Sequence, residues 1–239
     1  MKKSDQKRRD FLIRLLSAGV YSFASTSAIS SAWAMGKVPT QLVPGKSIYD
    51  YAGSVRVNGK PADENTFIDS NSTVETAADS HVIFVVGIDA FILRSNSKVE
   101  LQGSNTVINT LRLIGGKILS VFGKRTKKQK LGIDTVTATI GIRGTGVYVE
   151  SEPEQTYVCT CYGVADLYSK KDKTSKERVV TKHHDSPRYI QSNNAKGKQI
   201  VSAPVINHTD DELALIEALV GRTVPFSSTG YSSPRKSSY

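Results

Sequence analysis

Residues 135–150, T-V-T-A-T-I-G-I-R-G-T-G-V-Y-V-E, restrict what this chain can become more than any other stretch. Val136, Ala138, Ile140 and Ile142 alternate with Thr135, Thr137, Thr139 and Gly141, the period-two pattern of a half-buried strand. Gly144 and Gly146 then bracket Thr145, where the backbone is expected to turn through angles a side chain resists. Val147-Tyr148-Val149 resumes a strand built from β-branched and aromatic residues. A chain that carries this segment is a β protein, and C-T-C-Y-G, with both cysteines, follows within ten residues of Val149.

The same character extends upstream. From Ile48 to Glu150 short β-type runs follow one another, parted by Asp, Asn, Ser and Gly: residues 55–57 before the tight-turn pair Asn58-Gly59, then 74–76, 81–86, 90–93, 98–101, 106–114 and 117–122. Helix signals are nearly absent there. The expected class is all-β, a sandwich or a short solenoid of stacked rungs.

Downstream, the charged stretch 169–178 reads as an exposed hairpin or loop and Val179-Val180 as a brief strand. Thr209-Asp210-Asp211-Glu212 then forms a capping box, with Asp210 and Asp211 in the first turn complementing the helix dipole. Leu213, Leu215, Ile216, Leu219 and Val220 give that helix an apolar face, and Gly221 fits the position just past its end. It is the one helix expected after the N-terminal segment. Residues 222–239, with six Ser and two Pro, read as a disordered tail.

The first 34 residues read as an export signal rather than as part of the fold. Lys2, Lys3, Lys7, Arg8 and Arg9 make a basic start, residues 11–34 are moderately apolar, and Ala32-Trp33-Ala34 supplies small residues for cleavage. K-R-R-D-F-L-I-R resembles the twin-arginine signal. Arg14 and many Ser interrupt the apolar run, so no membrane helix is expected, and no later segment is long enough to span a bilayer. The signal carries six Lys/Arg and two Asp/Glu, four units of the net +10, which leaves +6 on the remainder. Lys124, Arg125, Lys127, Lys128 and Lys130 concentrate part of that in one loop. Export makes nucleic acid an unsuitable partner for such a run, which reads as a solvated turn.

Residues 55–59, 72–90, 111–119 and above all T-A-T-I-G-I-R-G-T at 137–145 together resemble the FecR domain, named for the iron-dicitrate transport regulator of the bacterial periplasm. The resemblance covers roughly residues 45–167. It implies a compact β fold, solenoid-like in the regulators, and a periplasmic address. In those regulators the domain relays a signal from an outer-membrane transporter to a sigma factor. Here an export signal stands where a cytoplasmic domain and anchor are expected, and the region after the β domain is short for transporter docking, so the fold is expected to transfer and the anti-sigma mechanism is not. The resulting division is 1–34 signal, 35–44 lead-in, 45–168 FecR-like β domain, 169–221 extension with the helix, and 222–239 tail.

Chemistry-bearing residues cluster in the extension. Both cysteines and three of the four histidines, His183, His184 and His208, fall within fifty residues. Cys159 and Cys161 are two apart on a strand and so face one way. With His183 and His184 they form the expected ligand set, two sulfurs and two nitrogens suited to zinc, copper, iron or an iron–sulfur cluster. A Cys159–Cys161 disulfide is a competing reading, strained at that spacing, and inert buried thiols are a third. His208 ranks as a weaker ligand and His81 as structural.

No nucleophile elbow or zinc-protease helix occurs. Residues 141–146 mimic a dinucleotide loop but run into a strand rather than a helix, and Glu150, Glu152 and Glu154 read as a solvated hairpin tip. The chain is therefore expected not to be an enzyme. Three functions stay open: an exported binding or sensing protein with an envelope partner and a metal site, a periplasmic redox or electron-transfer protein using Cys159 and Cys161, and an architectural interaction module with the cysteines bridged.

Overall fold

The computed structural model describes residues 39–126, 129–193 and 197–226. The proposed export signal, two residues of the basic loop and residues 227–239 lie outside them.

Among the described residues the chain is all-β with one helix near its end. The strands are β1 Ile48–Ala52, β2 Val55–Val57, β3 Lys60–Pro61, β4 Thr73–Thr76, β5 His81–Val86, β6 Asp89–Leu93, β7 Ser97–Ser104, β8 Val107–Val121, β9 Gly132–Asp134, β10 Ala138–Ser151, β11 Gln155–Ser169, β12 Lys176–Thr181, β13 Arg188–Gln191 and β14 Ile200–Ser202, and helix α1 is Asp210–Leu219. All fourteen strands belong to one hydrogen-bonded sheet. Asn58 and Gly59 at φ 52° and 77° make the expected tight turn between β2 and β3.

The sheet folds over because its three longest strands bend without ending. The first part of β8 pairs with β7 and β9, and its last part with β6 and β10. β10 passes likewise from β9 to β8 while β11 runs beside it, and β11 passes from β13 to β12. Gly116 (φ 91°), Gly144 (φ 56°) and Gly163 (φ 92°) sit at the bends. At each bend the inward parity flips: Leu111 and Leu113 give way to Ile118, Ile140 and Ile142 to Val147 and Val149, and Val158 to Ala165 and Leu167, all in one core. Residues 106–114 and 117–122, which read as two strands, are thus one strand. Every pairing except β8–β9 is antiparallel, so the fold is sandwich-like rather than a stack of parallel rungs.

The alternate side chains of β5, β6, β8, β10 and β11 point out of the sandwich and form a second core with Leu213, Leu215, Ile216 and Leu219 of α1. A ten-residue helix is marginal alone. This one is held by its apolar face, about 1.5–3 kcal/mol for each fully buried Leu or Ile, and by its capping box, in which the Thr209 side chain accepts from the Glu212 amide and Glu212 accepts from the Thr209 amide. Arg94, just after β6, adds an ion pair to Glu212 at 2.8 Å.

Two readings need correction. Glu150 is buried, accepting from Tyr148 Oη and Asn207 Nδ2, both at 2.7 Å, because the strand carries it under the chain leading into α1. The tail expected from Arg222 is seated as far as Phe226, whose ring packs 4.3 Å from that of His183. No helix among the described residues is long and apolar enough to cross a membrane.

Candidate metal centre

The outer face of β11 presents Tyr157, Cys159 and Cys161 in succession, while Val158 turns to the inner core. The thiols are unbonded to each other. After β12 the chain makes a tight turn around Asp185, whose Oδ2 accepts from Thr181 Oγ1 at 3.0 Å and from the Lys182 amide at 3.1 Å. His184 takes φ 51° in that turn and its amide donates to the Cys161 carbonyl at 3.0 Å. This fixes its ring over the cysteines. His208 arrives from the other side, immediately before the N-cap of α1, and its ring stacks on Tyr148 at 4.7 Å and 19°.

One ligand atom from each of Cys159, Cys161, His184 and His208 lies within 4.8 Å of all the others, and all four residues are buried. His183, expected as the fourth ligand, is instead grouped with His184 and Asp210, its Nε2 2.9 Å from the Asp210 carboxylate. His208, ranked below His183 from the sequence, joins this cluster because α1 packs back over β6 and β8. The one local signal was its place against a strong helix cap.

Hydrogen-bond partners fix which nitrogens face inward. His184 Nε2 is 3.0 Å from Asp210 Oδ1 and must donate to that carboxylate. His208 Nδ1 is 2.6 Å from the Ile206 carbonyl and must donate to it. The remaining nitrogens, His184 Nδ1 and His208 Nε2, then face each other at 3.0 Å, with Cys159 Sγ 3.4 Å from His184 Nδ1. Two neutral imidazoles held in these tautomers would oppose lone pair to lone pair. Such contact is sustained only by a proton or a cation between them. A tetrahedral ion with bonds near 2.0–2.1 Å to nitrogen sets N···N edges of about 3.3 Å. The donor set already stands close to that spacing.

Charges in the metal-free site follow the same logic. Burial opposes the Cys159 thiolate, but hydrogen bonds from Cys161, His184 and His208 outweigh it and hold the thiol well below its usual range. Burial pushes the Cys161 thiol well up, helped by the neighbouring Cys159. Burial likewise opposes the charged His184, yet Asp210 and Cys159 raise it to about 9. His184 and His183 lower Asp210 against its own burial.

Cys159, His184 and Asp210 also stand in the order of a nucleophile, its base and an orienting carboxylate. With Cys159 and Cys161 both at 0% exposure, a substrate carbonyl has no space beside the sulfur. Four inward donors closed off from solvent suit an ion held by protein ligands alone. A two-iron cluster with mixed ligands splits its cysteines and histidines between two irons, and so needs its pairs further apart than 4.8 Å allows.

No known family profile matches this chain, and no curated protein matches it. Two crystal structures of a candidate anti-sigma factor from Parabacteroides distasonis ATCC 8503, at 1.65 Å and 2.50 Å resolution, align with TM-scores of 0.46 at 11% and 10% identity. Each alignment covers 61% of this chain and 64% of that one, so the chain spans less than two thirds of its length. A likeness this loose carries no residue or role across.

Proposed function

We propose that this chain is a non-enzymatic binding or sensing protein of the bacterial envelope, built on a FecR-like β fold, that holds one tetrahedral metal ion at Cys159, Cys161, His184 and His208. The observation that carries the metal is the pair of inward imidazole nitrogens, 3.0 Å apart beside two buried thiols, with both outward nitrogens committed to fixed acceptors. Zinc fits best, since a closed site with two sulfurs and two nitrogens needs neither an open position nor a redox change. Copper, whose cuprous form favours the same soft donors, is the nearest competitor. The envelope address and the binding role rest on the sequence resemblance and the N-terminal segment, and an envelope protein is the partner they suggest. The ion's part is to fasten α1 to the sheet, because Cys159 and Cys161 come from β11, His184 from the turn after β12 and His208 from the chain entering α1.

Titrating chelator-treated full-length protein with cobalt(II) tests the site. Intense tetrahedral ligand-field bands with sulfur-to-metal charge transfer, saturating at one ion per chain and displaced by zinc, are the expected result. Weak octahedral bands, or no saturation, would remove the metal from the account. The redox reading is favoured by one observation, the Cys159 thiolate lying close to Cys161 on one strand. It gains if the isolated protein holds a reducible Cys159–Cys161 bridge and takes up cobalt only after reduction.

A further inference from the structure

The bends of the long strands leave a cleft that the metal centre does not use. It has a volume of about 640 Å³ and lies between the bend of β10 at Gly144, the bend of β11 at Tyr162 and Gly163, and the chain after α1. That volume falls within the few hundred to a thousand Å³ typical of small-molecule sites. The distinctive R-G-T-G stretch, which contributes nothing to the metal ligands, reaches the cleft through Gly144.

The walls are selective by charge. Among the described residues, Lys124, from the basic loop, Lys182 and Arg222 place three cations on the wall and Glu217 one carboxylate. Glu217 is already committed, accepting from Tyr162 Oη and, at 2.6 Å, from Arg222 Nε. Lys124 and Lys182 are exposed and form no ion pair among the described residues. Arg222 places Nη1 2.6 Å from the Ile88 carbonyl, while its buried Nη2 has no hydrogen-bond partner. The floor is apolar, formed by Phe122, Tyr162 and Phe226.

We infer that this cleft binds a small organic anion, a carboxylate carried on an aromatic or similarly flat apolar body, with the acid group met by Lys124, Lys182 and Arg222 and the body laid on the three aromatic rings. The size of the cleft, its surplus of cations and its aromatic floor are all met by one molecule of that class. None of these residues is among the four proposed ligands, but Glu217 on α1 and Arg222 and Phe226 after it belong to the segment the ion is proposed to fasten, so binding is read on metal-loaded protein.

The test uses 2-naphthoate as probe on the metal-loaded full-length protein, followed by calorimetry, with 2-naphthalenemethanol as the neutral isostere. Saturable binding of one naphthoate per chain is expected, with the neutral compound at least about tenfold weaker. The double variant Lys124→Gln/Lys182→Gln, which changes exposed side chains only, should weaken naphthoate about tenfold or more while retaining the same metal content. Absence of saturable binding, equal binding of the neutral isostere, or naphthoate affinity unchanged in the double variant would each overturn the inference. Metal is quantified on the same samples, so protein that binds naphthoate without metal contradicts only the proposed metal function. Metal-loaded protein that ignores naphthoate contradicts only the cleft.

Discussion

His183 and His184 are neighbours of the same type, yet only one turns a nitrogen toward the thiols. The difference arises at His184, whose positive φ swings its ring inward while His183 stays half-exposed against Phe226 and Asp210. His208→Asn should therefore lower metal affinity by at least about 100-fold, whereas His183→Asn should cost tenfold or less. Asp210→Asn, which loosens the hold on His184 without touching the ion, should fall between, about 10–100-fold. Competition against a chromophoric chelator measures all three, and equal losses at 183 and 208 would show the ligand set to be wrong. A pH signature follows from His184. Its folded value of about 9 lies above its ordinary 6.5, so its charged form stabilises the metal-free protein fully below 6.5 and that stability is lost as pH rises through about 9. A bound ion replaces the proton. The melting-temperature gain on adding metal should therefore grow between pH 6.5 and 9, and a gain that shrinks over that range would contradict the assignment.

At the scale of elements, the bends decide the fold. A Cβ on Gly163 would lie 2.8 Å from the Gly144 carbonyl oxygen at a φ of +92°. Gly163→Ala should cost about 2 kcal/mol or more in urea unfolding. Gly132, with nothing nearer than 3.5 Å and an ordinary φ, provides the control, and Gly132→Ala should change stability by less than about 1 kcal/mol. Equal costs would mean that the bends carry no special constraint. The glycines were legible as punctuation and the strand alternation was legible as β structure. That the strands continue through their glycines was not, because a glycine in a run marks a turn and a bend alike until the pairing partners are known. The capping box of α1 was fully legible, since all its parts lie within four residues. The role of His208, two positions upstream of the helix, depended on where that helix packs.

For the molecule as a whole, the proposed centre would tie its last described segment to the sheet. Stripping the ion should loosen α1 first and leave the inner core protected. Hydrogen exchange should speed up in residues 206–226 after chelation, with β5, β6 and β8 unchanged, and uniform acceleration would mean that the ion supports the entire fold instead. At metal concentrations about a thousand times the dissociation constant the stabilisation is about 4 kcal/mol, roughly 10 °C in melting temperature for a chain of this size. The all-β class could be read from local pattern. The division into an inner core and an outer one roofed by α1 could not, because it depends on contacts between segments more than a hundred residues apart, such as Arg94 with Glu212. The central claim is the four-residue shell. X-ray absorption on the zinc-loaded full chain reads it most directly: the account predicts two sulfurs near 2.3 Å and two nitrogens near 2.0 Å per ion, with one sulfur lost in Cys161→Ser, and a shell of oxygen and nitrogen without sulfur would contradict it.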